Sequence, residues 1–336
     1  MPRLAMSFIS SLNERTAPLF DGSVEPEGIT LLTTRSPASE TFWRQLKYAE
    51  FAVAEMSLSS YLIARERGAD MIAIPVFPTR WFMWAELHYH VDAGITGPSD
   101  LTGKRVGLEE YQQTAALWTR GVLQHDFGVP PERVRWYVER TDALSHGGAT
   151  GFTPPPGITL ERVPPDESLP TMLAAHALDA APLYGGIRRE ANFIDRSTRL
   201  AGPLDPAKIR PLFPDRMAEG ARFQAAHGFI PASHTYVIRG DVYREHPWVA
   251  LNLYQALVQA KELAHGRLEA SLPAALVFGR EYWAQTRRLF GDDPYPYGFH
   301  ANAPMLRALV DYSHEQGLIQ QRPALTDLFA PSTLEL

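Results

Sequence analysis

Short apolar β runs alternate with amphipathic helical stretches along this chain, and a β run returns late, after a long excursion. That order is what most limits the folds open to it. Leu4–Ser10 and Gly28–Thr33 read as strands, and Glu40–Tyr48 as a helix with Phe42, Leu46 and Ala49 on one face. Ala52–Met56 predicts a short buried strand, followed by a helix from Ser59 to Arg67 that stops at Gly68. Met71–Val76 and Glu86–Val91 read as further strands, and the polar stretch Asp92–Lys104 as a link. Arg105–Leu108 is a strand leading through a turn into a helix with Ala116, Leu117, Val122 and Leu123 as its apolar positions. Val134–Val138 and Ala180–Tyr184 are strands, with Leu169–Ala177 a helix between them. Thr141–Pro156 reads as a mobile loop and residues 200–222 as an irregular excursion. The β run then returns as His234–Ile238, before the amphipathic helices Trp248–Ala264 and Ala303–Glu315.

A chain of 336 residues exceeds what one compact core usually holds. The order of elements predicts an α/β protein of two lobes joined by two crossover strands. Residues 1–98 and 233–336 form a discontinuous first lobe, and residues 99–232 an inserted second lobe. A ligand then lies in the central cleft, near strand ends and helix N-termini, where hinge motion closes the lobes over it.

The net charge of −6 argues against nucleic acid as a partner. No apolar run approaches the ~20 residues needed to cross a bilayer, and the N-terminus is too polar for a secretory signal. Cysteine is absent, which excludes disulfides, thiolate nucleophiles and cysteine-held metals. A cytoplasmic location fits these features.

Thr114 stands near the start of the helix after Arg105–Leu108, where unpaired N–H groups and the helix dipole favour an anion. Arg80 follows a strand end, where a guanidinium either clamps a carboxylate or makes a surface ion pair; Arg15 has the weaker form of the same case. Glu55, Ser57 and Ser59 lie on a strand-to-helix turn, as an orienting carboxylate and as hydroxyls that bind a ligand or cap the helix. His234, on the returning strand, is either an acid–base group or a buried imidazole bonded to backbone. His88 and His90 share a strand face, but lack a carboxylate or third histidine in the same motif, so no metal is expected. Trp81, Phe82 and Trp84 either stack on an aromatic ligand or form a core.

The segments VEPEGI (Val24–Ile29), AEMSLSSYLIAR (Ala54–Arg65), AIPVFPTR (Ala73–Arg80), GKRVGLEEYQQTAALWTRGVLQHDFGV (Gly103–Val129), HPWVALNLYQAL (His246–Leu257) and HEQGL (His314–Leu318) carry a resemblance over nearly the whole chain. It resembles the 4,5-dihydroxyphthalate decarboxylases, a branch of the type II periplasmic-binding-protein fold. The resemblance implies a cytoplasmic enzyme that removes one carboxylate from an aromatic diacid without an organic cofactor. It also implies a cleft lined by the AEMSLSS turn, the loop at Arg80, the Tyr111–Thr114 turn and the strand near His234. On this reading the catalytic set is His234, Arg80 and Glu55, and Arg15, Ser57, Ser59, Tyr111, Thr114 and Trp84 contact the substrate. Trp81–Trp84 stands where the family pattern has a basic residue and a histidine, which implies a flatter, less charged substrate. PLYGGIRRE (Pro182–Glu190) departs from the arginine–proline pattern implied at that point. The partner is a small aromatic acid, and a homo-oligomer is compatible with this reading. The rival from another class is a non-catalytic solute-binding protein for an anionic aromatic, serving transport or sensing.

Overall fold

The structure is a computed structural model that describes residues 3–184, 192–199 and 205–336. Strand β1 (Leu4–Ser10) leads through the short helix α1 (Ala17–Phe20) to its parallel neighbour β2 (Ile29–Arg35). Helix α2 (Ala38–Tyr48) then precedes β3 (Val53–Ser57), which runs without a break into α3 (Leu58–Glu66) and on to β4 (Met71–Ile74). Every residue of β3 is buried, as expected of a strand covered on both faces.

The chain next crosses to a second sheet. It contributes β5 (Leu87–His90), β6 (Arg105–Leu108), helix α4 (Thr114–Phe127), β7 (Arg135–Val138) and the short helix α5 (His146–Thr150). Then follow β8 (Thr159–Arg162), α6 (Leu169–Ala174), β9 (Ala180–Pro182), β10 (Ile209–Pro211) and α7 (Arg216–His227). The chain returns as β11 (His234–Arg239) and ends in α8 (Gly240–Glu245), α9 (Val249–Ala275), α10 (Gly279–Phe290) and α11 (Phe299–Glu315). The two sheets have the orders β2-β1-β3-β11-β4 and β10-β5-β9-β6-β7-β8. No helix among the described residues is long and apolar enough to cross a membrane.

Two connecting segments join the lobes and lie side by side. Trp81 N–H donates to Pro231 O at 3.2 Å, Ser233 N–H to Thr79 O at 2.9 Å, and Arg80 pairs with Ala232 in an isolated antiparallel bridge. The chain re-enters the first sheet at β11, and β5 pairs with β9 and β10 rather than with that sheet. A boundary at 98 therefore leaves one strand of the second sheet on the wrong side. Alternation in Leu87–His90 shows that one face is buried, but carries no information about which sheet supplies the partner.

The loop read over Thr141–Pro156 contains α5, and the excursion read over 200–222 contains β10 and the start of α7. Asp215 caps α7 by accepting from Ala218 N–H at 2.9 Å, a stop-and-start signal hidden among prolines and charges. Of PLYGGIRRE only Pro182–Tyr184 falls among the described residues.

Helix α4 ties the lobes together. Its Trp118 donates to Ala232 O at 2.9 Å and meets Tyr312 of α11 edge-on at 5.5 Å. The helix ends at Gly128, whose φ of +69° closes the last turn. Gly121 lets α11 approach: a methyl group there would lie 2.1 Å from the Tyr312 ring. Gly121→Ala is therefore expected to destabilise the fold by about 1–3 kcal/mol through overpacking, read as a lower urea midpoint at unchanged slope.

Candidate functional site

A cavity of about 550 Å³ opens between the lobes, within the range of roughly 300–1,000 Å³ usual for small-molecule sites. Its floor is the end of the first sheet. In the antiparallel register His234 of β11 lies opposite Ser57 of β3, so Glu55 is its diagonal neighbour on the same face. His234 Nδ1 and Glu55 Oε1 are 2.6 Å apart. The other oxygen of Glu55 accepts from Ser10 Oγ at 2.9 Å, and from both the backbone N–H and Oγ of Ser11 at 2.7 Å. Burial of Glu55 works against its charge, but the bonds from His234 and Ser11 outweigh that, and its carboxyl lies below the usual value. An ionised Glu55 takes the Nδ1–H of His234, which leaves Nε2 for chemistry.

Phe42 of α2 touches two imidazoles edge-on, His234 at 4.7 Å and His146 at 5.5 Å between ring centres. Both histidines line the cavity. His146 is fully buried, and burial pushes its pKa down, with Arg140 adding to the shift and Glu110 opposing it. Its Nε2 lies 3.0 Å from Ser39 O of α2, a bond between the lobes.

The second lobe supplies strand ends and a helix start, the usual ligand positions of a parallel sheet. Thr114 and Ala115, the first residues of α4, line the cavity. Thr114 Oγ1 lies 2.8 Å from Ser57 Oγ and accepts from Ser59 N–H at 3.0 Å, so the α3 and α4 starts are locked together across the cleft. Just past the end of β7, Arg140 is buried among Glu110, Asp195 and Glu109. Burial alone would lower its pKa, yet the three carboxylates hold it well above the ordinary arginine value.

Arg15, Arg35 and Arg80 line the first-lobe flank. Arg80 is nearly fully buried and bonded to Ile230 O at 2.8 Å, Pro296 O at 2.9 Å and Asn302 Oδ1. Burial lowers its pKa to about 10, which still leaves it charged at neutral pH. Its Nε has no hydrogen-bond partner among the described residues. Arg15 donates to Pro78 O at 2.6 Å and stacks 4.1 Å over the Tyr295 ring.

Two relatives share this chain's sequence. It is 30% identical to a 4,5-dihydroxyphthalate decarboxylase of Comamonas testosteroni, over the whole chain and 99% of that protein. The chain belongs to the 4,5-dihydroxyphthalate decarboxylase family. A second relative of that name, from Pseudomonas putida, is 34% identical over 54% of the chain and 70% of its own length. No protein-family model matches. Among solved structures, the periplasmic aliphatic sulphonate binding protein SsuA of Escherichia coli aligns with a TM-score of 0.54 at 12% identity, covering 97% of this chain and 91% of that one. The desulfurization enzyme DSZB aligns equally well, at 14% identity, covering 98% and 96%. These establish the two-lobed periplasmic-binding-protein fold.

Within this member of the family, the cavity brings together Arg15, Ser57, Arg80, Thr114 and His234 of the residues expected from sequence. Glu55 stands behind His234 rather than at the surface. Ser59 is buried and donates to Gln112 O at 2.5 Å. Tyr111 faces a neighbouring cavity of about 350 Å³ and stacks under Arg120 at 3.6 Å, so it does not reach the cleft. Trp84 is a core residue, donating to Glu219 Oε1 at 2.6 Å and packed on Phe223 at 4.6 Å. The tryptophan in the cavity is Trp81, stacked on Tyr184 at 5.5 Å. The terminal nitrogens of Arg80 are bonded to Ile230 O, Pro296 O and Asn302 Oδ1 and its Nε is buried, so the guanidinium does not present the two-nitrogen carboxylate clamp expected there. His146, Arg140, Ser11 and Ser39 also line the cavity without being expected there, and Phe42 reads from sequence only as part of the apolar face of a helix. Arg140 follows a parallel strand, a position the crevice rule would have flagged.

Glu55 also sets an acid response. Its folded-state pKa is depressed, so its charge adds stability that is complete above pH 4.5, the ordinary value, and lost as pH falls through the lower folded value. Glu55→Gln should cost about 1–3 kcal/mol at neutral pH, and urea titrations should show this gap narrowing below pH 4.5.

Proposed function

We propose that this protein decarboxylates a hydroxylated aromatic carboxylic acid, with 4,5-dihydroxyphthalate, the compound in the names of both relatives, as the leading substrate. The observation that carries this reading is the His234–Glu55 pair. It puts a proton carrier on the floor of a cavity that also holds arginines and a helix N-terminus.

Substrate carboxylates sit toward the α4 start, where N–H groups are available and the helix dipole is favourable, and toward the positive charge of Arg80. The ring lies near Phe42 and Trp81, which line the cavity with flat apolar faces. His234, as imidazolium on the Glu55 carboxylate, delivers its proton to the ring carbon that bears the departing carboxylate. An ionised hydroxyl para to that carbon pushes electrons toward it. The carbon–carbon bond then breaks, its electron pair restores the aromatic ring, and CO₂ leaves. One proton is taken up for each CO₂ released, and His234 is recharged from water. From 4,5-dihydroxyphthalate the product is 3,4-dihydroxybenzoate, which keeps the second carboxylate.

The test is turnover. Purified protein incubated with 4,5-dihydroxyphthalate should release CO₂ and form 3,4-dihydroxybenzoate, followed by chromatography. His234→Asn should lower kcat by roughly 10²–10⁴-fold while KM changes little, since the variant loses the proton carrier and keeps the anion contacts. Silence across a panel of hydroxybenzoic and phthalic acids would reject the reading. Thermal stabilisation by those acids without turnover would favour a solute-binding role instead.

A further inference from the structure

At the pole of the second lobe remote from the cavity, the sheet gathers a second set of ionisable groups. The cavity faces the far ends of β6 and β7, past which Glu109 and Arg140 lie; this set lies where β6 and β9 begin and β5 ends. His90 closes β5 and is buried. The turn that follows brings Asp92 N–H to 3.3 Å from His90 Nδ1 and the Asp92 carboxylate to 3.6 Å. His176 arrives from the α6–β9 connection and stacks on His90, with ring centres 4.3 Å apart and planes within 7°. One ligand atom from each of His90, Asp92 and His176 lies within 4.8 Å of the other two.

Two features of His176 set this apart from casual packing. Its φ of +55° is left-handed, a conformation uncommon for residues other than glycine. Its Nε2 is buried yet makes no hydrogen bond. The nearest charge to that nitrogen is Asp179 Oδ1 at 3.3 Å, and Asp179 is itself held by two bonds from the Arg105 guanidinium, at 2.7 and 3.1 Å. A fixed carboxylate beside an imidazole is the arrangement that orients metal-bound histidines. Asp92 and Asp179 face two cations, Lys208 and the Arg105 guanidinium, so the charges around the two imidazoles balance.

We propose that His90, Asp92 and His176 bind a divalent transition ion of the zinc class, which ties the end of β5 to the α6–β9 turn. Two imidazoles and a carboxylate suit such an ion, with water as the fourth ligand. Zinc bonds of about 2.0–2.2 Å in a tetrahedron bring ligand atoms to roughly 3.3–3.5 Å of one another. The exposed Asp92 and the half-buried His176 supply that movement, and His176 tilts out of the stack to face the ion. His88 is not among the three convergent groups; its Nδ1 bonds Glu86 O at 2.8 Å.

The experiment is isothermal titration of the chelator-treated full chain with zinc chloride, beside Asp92→Asn and His176→Asn. Asparagine tolerates the left-handed backbone at residue 176 and removes the imidazole. The expected result is one zinc per wild-type chain and a raised melting temperature with zinc. Each variant should lose roughly ten- to a hundredfold or more in affinity while melting like wild type in chelator. Cobalt(II) bound to wild type, but not to His176→Asn, should show the visible absorption of a four-coordinate site. Absence of binding to wild type, or equal binding by wild type and both variants, overturns the proposal.

Discussion

The hydrogen bond between Glu55 and His234 is the interaction on which the site depends. A fully buried carboxylate is costly unless donors surround it, and here four converge on one side chain: His234, Ser10 Oγ, and two from Ser11. Those donors come from β1, the residue just past its end, and β11, the two neighbours of β3, which carries Glu55. Strand order therefore becomes chemistry. Only because β11 returns antiparallel beside β3 does an imidazole from residue 234 meet a carboxylate from residue 55.

Around that pair the two lobes are clasped by polar contacts. Ser39 of α2 donates to Asp195 at 2.8 Å and accepts, through its carbonyl, the contact with His146 at 3.0 Å. Thr114 bonds both Ser57 and Ser59. Arg80 has a structural duty as well as a place in the cavity. It pins the first crossover to Ile230, Pro296 and Asn302, and adds a fixed positive charge to the cavity wall. A neutral, buried His146 and a firmly cationic Arg140 complete the opposite wall, so the cavity combines one mobile proton with fixed charge.

Much of this was legible in the sequence because it follows from local pattern. Strand and helix periodicity gave the element order, the return at His234, and the helix start at Thr114. Three dimensions decided the rest. Strand pairing placed β5 in the second sheet, against a boundary drawn from the polar link after it. Trp81 and Trp84 are alike in composition and three residues apart, yet one lines the cavity and the other bonds Glu219 in the core, a difference set by the turn between them. Tyr111 precedes Thr114 by three residues but lies on the far side of the helix entry, under Arg120. His146 sat in a stretch of glycine, proline and threonine that reads as loop, and its short helix exists because Ser145 accepts from Gly148 N–H at 2.7 Å.

The central claim is that an ionised Glu55 fixes the tautomer of His234 and so points a working nitrogen into the cavity. Nitrogen-15 NMR of the histidine side chains tests it directly. The account predicts a His234 signal protonated at Nδ1 in the neutral ring, with a strongly downfield Nδ1 proton that vanishes in Glu55→Gln. A neutral His234 protonated at Nε2, or a spectrum unchanged by that substitution, would contradict it.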